Sequence, residues 1–321
     1  MKHFQNILYV SEPSVEQESA LARAVSLAKN NQADLTVIDV IPESSAGIGL
    51  PPGGPISGDL QALAESESRE VLEALVAPHR GGVSIQLEVM IGETFLETIR
   101  TVLRHGHDLV VKPAEDPDFI ERLFGSDDMH LLRKCPVPVW MMKAGGKDNY
   151  ERILAAVDFD PAAPETARQG LNQELLDPSG SLALSDLSAL HLVHAWDAPA
   201  EMLLRSWSND PNRAVFDYVE SERSRHQKGM TSLREGLRAC IGSEAYDYLS
   251  PQVHMIQGPA RTVIPAMARE LHADLVVMGT VARTGIPGMF IGNTAEAVLE
   301  QLHCSVLAVK PPGFVSPVTL T

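Results

Sequence analysis

One series of landmarks occurs twice in this 321-residue chain, and that repetition limits it to a duplicated fold. Residues 6–11 read Asn-Ile-Leu-Tyr-Val-Ser, and residues 152–157 read Arg-Ile-Leu-Ala-Ala-Val. Gly92 precedes Asp108-Leu-Val-Val by 16 positions, and Gly258 precedes Asp274-Leu-Val-Val by the same 16. Each copy then reaches a glycine with a small polar neighbour, Gly125-Ser126 or Gly292-Asn293. Each closes on a short apolar run ending in lysine, at 137–143 and 306–310. Shared order at shared spacing predicts two domains of one fold, over 1–145 and 151–313, with a tail at 314–321.

The periodicity within each copy names that fold. Apolar runs of strand length fall at 7–10, 35–41, 84–90, 109–112 and 137–142, and again at 153–158, 190–195, 253–256, 275–278 and 306–309. Stretches of helical period lie between them, at 15–30, 59–75 and 94–105 in the first copy. Strands apolar throughout, separated by helices, predict a parallel sheet covered on both faces. Each copy is therefore expected to be an open five-stranded α/β sandwich, with the join at 143–151. A Pro-, Gly- and Ser-rich insertion at 42–58 reads as a loop. The second copy carries an expansion at 176–187 and 198–222, where Trp196, Trp207 and Tyr218 read as a packing cluster or, alternatively, as a ligand lid or partner surface.

Bulk properties narrow the partners. A net charge of −16 opposes duplex nucleic acid and anionic membrane. No cationic-then-apolar leader or bilayer-length apolar run is present, so a cytoplasmic protein is expected. Cys135, Cys240 and Cys304 are odd in number and lack CxxC spacing, which reads as free thiols. His191 and His194 lie three apart in a strand and point to opposite faces, so no metal site is expected. A P-loop, a nucleophile elbow and a dinucleotide fingerprint are all missing, and no catalytic residue is assigned.

In open parallel sheets, ligands bind beyond the carboxyl ends of the strands. The fourth strand of the second copy runs into a glycine-rich loop, 279–292, and then into a helix start, an arrangement suited to an anion. Arg283 is a candidate countercharge. The same residues also suit a capping box between Asn293 and Glu296, with the glycines only turning the chain.

The spacing Gly279-x-x-Ala282, nine residues, then Gly292-Asn293 resembles the signature of the universal stress protein family, and Ile153-Leu-Ala-Ala-Val-Asp158 resembles its first-strand motif. The resemblance spans both copies, and Arg133-Lys-Cys-Pro136 with the Gly-Asn-Thr-Ala-Glu segment is similar to the tandem E-type members. It implies a pseudo-twofold axis through the closing strands, an intra-chain counterpart of the family's dimer, with further homodimerisation open. In the family's nucleotide-binding branch these motifs hold ATP. Carried over, Ala156, Val157, Asp158, Met278 and Gly279 would face adenosine, while Val281, Ala282, Gly292, Asn293, Thr294 and the Ala295 backbone would face phosphates. Ala282 departs from the family's second glycine, and Asn293 from its hydroxyl residue. The Ala282 methyl would crowd a phosphate or oppose a positive φ.

The first copy departs further. Pro113 replaces the first glycine, Glu12 stands where the second copy has Asp158, and Glu115, Asp116, Asp118, Asp127 and Asp128 crowd the anion position. It is read as unable to bind nucleotide. The leading expectation is a non-catalytic stress-response protein that senses or binds a small ligand, with ATP or another adenine nucleotide as the candidate, in the second domain only. A scaffold acting through protein partners without nucleotide is the alternative. A slow nucleotide hydrolase is the third reading, opposed by the lack of a placed base or metal.

Overall fold

The computed structural model describes residues 4–43, 55–115, 126–147, 149–162, 165–281 and 291–320. Most of the 42–58 insertion, the centre of the acidic first-copy loop, Ala282 and Arg283 lie outside the described residues.

The first half runs β1 (Asn6–Val10), α1 (Glu18–Asn31), β2 (Asp34–Ile41), α2 (Pro55–Val76), β3 (Ile85–Ile91), α3 (Thr94–His105), β4 (Leu109–Pro113), α4 (Asp127–Lys134) and β5 (Val139–Met142). The second runs β6 (Arg152–Ala156), α5 (Glu165–Asp186), β7 (Ala189–Trp196), α6 (Glu201–Trp207), α7 (Pro211–Ile241), α8 (Ser243–Leu249), β8 (Gln252–Gln257), α9 (Ala260–Glu270), β9 (Leu275–Gly279), α10 (Asn293–Leu299) and β10 (Ser305–Val309). The five expected strands are present in each half. β5 starts at Val139 rather than at 137 because Pro136 and Pro138 have no N–H for the ladder, although the Pro138 carbonyl still accepts from Val110. β6 ends at Ala156, which leaves Val157 and Asp158 in the turn beyond the sheet.

The strands form one ten-stranded sheet in the order β3-β2-β1-β4-β5-β10-β9-β6-β7-β8. Neighbours within each half are parallel, and the halves meet through the antiparallel pair β5 and β10. Read outward from that pair the two halves have the same order, which is the pseudo-twofold arrangement expected from the duplication. One continuous core lies under α1, α2, α5 and α7. A second lies under α3, α4, α9 and α10 on the opposite face. No described helix is long and apolar enough to cross a membrane.

The repeated sequence landmarks have matching structural roles. Gly92 at φ 146° and Gly258 at φ 144° occupy backbone that a side chain would strain, and their N–H groups close onto Ile41 and Trp196 carbonyls. The Asp108 carboxylate accepts from the N–H groups of Gln5 and Asn6 at 2.6 and 3.1 Å, ahead of β1. Asp274 does the same for Glu151 and Arg152 at 2.8 and 3.1 Å, ahead of β6. Each carboxylate therefore ties the start of the fourth strand to that of the first, which fixes their register.

The seam between halves is closed on both faces. Arg23 of α1 pairs with Asp186 of α5 while its guanidinium lies 3.7 Å over the Tyr150 ring. Asp186 also accepts from the Tyr150 N–H at 3.2 Å. Both ionic side chains are more than nine-tenths buried. Removing one partner strands the other charge in the core. Asp186→Ala is expected to lower unfolding free energy by about 3–5 kcal/mol in denaturant titrations, against about 1 kcal/mol or less for the exposed pair partner Asp217→Ala.

Candidate functional site

The topology reverses at β6 and β9, where chain beyond their carboxyl ends opens a cleft of about 1030 Å³. Ala156, Val157 and Asp158 line one side, with Met278 and Gly279 at the end of β9. Val281, Gly292, Asn293, Thr294 and Ala295 line another side. The residues read from the sequence thus share one cleft, apart from Ala282 and Arg283, which lie outside the described residues. Asn172 of α5 sets the turn after β6: its side-chain oxygen accepts from the Asp158 N–H at 3.2 Å, and its amide donates to the Asp158 carbonyl at 2.9 Å. That clasp occupies the Asp158 backbone and leaves its side chain exposed at the cleft.

The capping-box alternative is not what forms at α10. Gly292 is the N-cap at φ −84°, with no side-chain cap bond, and Asn293 is already the first helical residue. Glu296 instead reaches Arg133 of the first domain in an ion pair.

Sequence reasoning missed the floor of the cleft. His194, Trp196, Phe159 and His226 line it together. Phe159 stacks on His194 with centroids 4.0 Å apart at 15°. His194 Nδ1 lies 3.2 Å from the Val157 carbonyl and Nε2 lies 2.8 Å from His226 Nδ1. Since a carbonyl only accepts, Nδ1–H of His194 is the donor there, and in the neutral imidazole its Nε2 then accepts from His226. Glycine at 229 lets α7 approach: a Cβ there would lie 2.2 Å from a Phe159 ring carbon. His191 does face away from His194, as its strand spacing requires, and lies 3.0 Å from His254 instead. Burial pushes both His191 and His254 below ordinary histidine.

The second-copy expansion is therefore only partly packing. α5 has 22 residues against 14 in α1. α7 extends to 31 residues and brings Glu222, Arg225 and His226 to the cleft wall. Trp196, Trp207 and Tyr218 do not form one cluster. Trp196 is buried at the cleft, the Tyr218 hydroxyl accepts from the Ala200 N–H, and Trp207 is 82% exposed. Aromatic content alone marked the region, whereas the His194–His226 contact depends on the crossing of β7 by α7.

Beneath the loop edges, Lys310 is buried. Its Nζ lies 2.6 Å from Thr280 Oγ1, 2.6 Å from the Leu132 carbonyl and 3.2 Å from that of Arg133. Burial pushes the Lys310 ammonium down to about 7. All three cysteines are free, and burial pushes each thiol up to about 12, which suppresses thiolate chemistry. Among the described residues, no group of three or more His, Cys, Asp or Glu is arranged to hold a metal.

The corresponding end of the first domain is built differently. Gln17 Oε1 accepts from the Glu12 N–H at 3.1 Å, the counterpart of the Asn172 clasp. Lys112 stands where the second domain has Met278, and its buried Nζ lies 3.0 Å from Glu12, 2.8 Å from Asp128 and 3.6 Å from Glu115. The Glu115 N–H also donates to Asp128 at 2.8 Å. Burial works against the Lys112 charge, but Asp128, Glu12 and Glu115 outweigh it and hold this lysine above its ordinary range. Burial, with Asp128 behind it, pushes Glu115 up to about 7. The folded chain therefore binds a proton at Glu115 more tightly than the unfolded chain, so stability falls as pH rises from about 4.5 toward 7. Glu115→Gln is expected to raise the thermal midpoint at pH 8 and to leave it unchanged at pH 4.5, in melts recorded across that range.

Comparison with known proteins agrees with the duplicated architecture. The universal stress protein family matches the chain twice, over residues 3–143 and 149–310. Universal stress protein E of Escherichia coli K12 is 32% identical over 328 residues, covering 100% of this chain and 98% of its own length. A universal stress protein E homolog of Haemophilus influenzae is 32% identical over 96% of this chain and 98% of its own. Among solved structures, a functionally unknown protein from Pseudomonas aeruginosa PAO1 aligns with a TM-score of 0.67 at 26% identity, over 97% of this chain and 94% of that one. A universal stress protein from Archaeoglobus fulgidus shares the fold, with a TM-score of 0.63 at 18% identity, over 97% of this chain and 98% of that one. With its landmarks written twice, ten strands in one mirrored order and both halves matched by the same family, this chain belongs to the universal stress protein family.

Proposed function

We propose that the chain serves the stress response by binding a small ligand, an adenine nucleotide in the first instance, in the second domain and without catalysing its turnover. The observation that carries this reading is the contrast between the two equivalent sites. Beyond β6 and β9 lies an open cleft, bordered by Asp158 on one side and by Gly292, Asn293 and Thr294 on the other. Its volume is at the top of the roughly 300–1,000 Å³ common for small-molecule sites. Beyond β1 and β4, Lys112 draws Glu12, Glu115 and Asp128 into the equivalent space, where carboxylates would repel a polyphosphate. Asp158 is suited to hydrogen-bond a base or ribose, and the exposed Asn293 and Thr294 to meet phosphate oxygens.

Turnover is not part of the proposal. In this reading Asp158 serves the adenosine end of the ligand and Gly292–Thr294 the phosphates, so Asp158 would not activate water at the phosphates. Bound nucleotide would then signal by occupancy.

Denaturing the purified protein and identifying what it releases by mass spectrometry should yield one adenine nucleotide per chain. Two per chain would overturn the assignment of the first domain as closed. In the folded Gly292→Val variant, ATP affinity measured by calorimetry should fall at least about 100-fold, as expected when a side chain occupies a close-approach position. Unchanged affinity there would move the ligand elsewhere.

A second reading has its own observation. Met202, Leu203 and Trp207 of α6 and Phe216 of α7 are 79%, 54%, 82% and 66% exposed, an apolar surface that suits a protein partner. If this surface rather than the cleft carries function, Trp207→Ser should abolish partner recovery in pull-downs while nucleotide release is unchanged.

A further inference from the structure

The Lys310 contacts run in one direction only. α4 belongs to the first domain, yet the carbonyls of Leu132 and Arg133 at its carboxyl end are bound by Lys310 of the second. The same Nζ holds the hydroxyl of Thr280, which is fully buried and lines the cleft. The Thr280 carbonyl accepts from the Gly292 N–H at 2.8 Å, and its N–H donates to Val309. Three hydrogen bonds in series therefore connect the end of α4 to Gly292. A separate contact, the ion pair of Arg133 with Glu296, joins α4 to the first turn of α10. One helix end of the first domain thus holds both described edges of the loop bordering the second-domain cleft.

The pseudo-twofold axis would permit a reciprocal arrangement, and it is not built. Lys143, the counterpart of Lys310, is exposed. Ala114 stands where the second domain has Thr280, so no hydroxyl is available to be held. Once a duplicated contact survives on one side only, the symmetric packing of the fold does not account for it.

We propose that the first domain is a positioning element of the second-domain cleft, with the carboxyl end of α4 fixing Thr280 through Lys310 and α10 through the Arg133–Glu296 pair. Arg133 and Lys310 are positioning residues and do not themselves contact ligand. The consequence for affinity rests on the nucleotide reading above, whereas the consequence for local order does not. A domain whose own site is filled by Lys112 and its carboxylates is then retained because it sets the geometry of its neighbour's. α4 also joins the two places: Asp128 in its first turn holds Lys112, and its last carbonyls bind Lys310.

The test uses the full chain without ligand. In Arg133→Ala, amide hydrogen exchange over residues 291–299 should quicken about tenfold, within the range of interdomain couplings, while exchange in β1 and β2 stays unchanged. The charge-exchanged double variant, Arg133→Glu with Glu296→Arg, should restore protection, which a general packing defect would not. Lys310→Met should quicken exchange over 275–281 as well; if it does not fold, the Arg133 variants carry the test. Unaltered exchange over 291–299 in Arg133→Ala, or no recovery in the double variant, overturns the proposal. Calorimetry with ATP and with inorganic pyrophosphate then separates the two ideas. About tenfold weaker binding in Arg133→Ala supports both. No binding of either probe to the wild-type chain removes the nucleotide reading, and the exchange result still decides the coupling.

Discussion

The antiparallel pairing of β5 with β10 is the contact on which the other interdomain features depend. Leu307 lies opposite Trp140, with Val306 facing Met141 and Ala308 facing Val139, and these short buried strands turn two parallel sheets into one. The pairing removes one edge from each half, and an unpaired apolar edge is a template for unwanted association. It also decides which helices meet. On one face α1 meets α5, where Arg23 and Asp186 pair beneath Tyr150. On the other, α4 meets the α10 side of the second domain, where Arg133, Glu296 and Lys310 are brought together. Packing and electrostatics at the seam thus follow from one strand register.

Within that frame the copies differ most plainly at the ends of their fourth strands. At the end of the fourth strand, Met278 in one copy is Lys112 in the other. A buried lysine requires compensation, and Glu12, Asp128 and Glu115 supply it. An apolar residue makes no such demand, so the equivalent space beyond β6 and β9 stays open. Both copies nevertheless keep the device that shapes the turn after the first strand, with Gln17 or Asn172 accepting from the following N–H. The scaffold of the site has been retained twice, while its contents differ.

Much of this was legible in the chain because strand and helix periods are local properties. The order of elements and the two Gly-to-Asp intervals followed from residue spacing, and the structure gives those intervals a cause in Gly92, Gly258, Asp108 and Asp274. The acidic crowding of the first copy was also readable. Its organiser was not, because Lys112 reads as the end of an apolar strand until Glu12, 100 positions away, is brought within 3.0 Å of it. Glu296 had the spacing of a capping residue, and only the neighbouring domain offered it Arg133.

The sequence by itself determined the duplication, the α/β class and the succession of strands along the chain, and it pointed to the candidate residues at the ends of β6 and β9. Those features depend on short-range periodicity and on residue type, and neither needs a partner from far along the chain. Tertiary structure alone decided that α7 would cross β7 to set His226 against His194, that Phe159 would lie on that pair, and that Lys310 would join Thr280 to the end of α4. Each of these joins groups at least 30 positions apart or on different elements. Their contact depends on the packing of helices across a sheet, which no local pattern encodes.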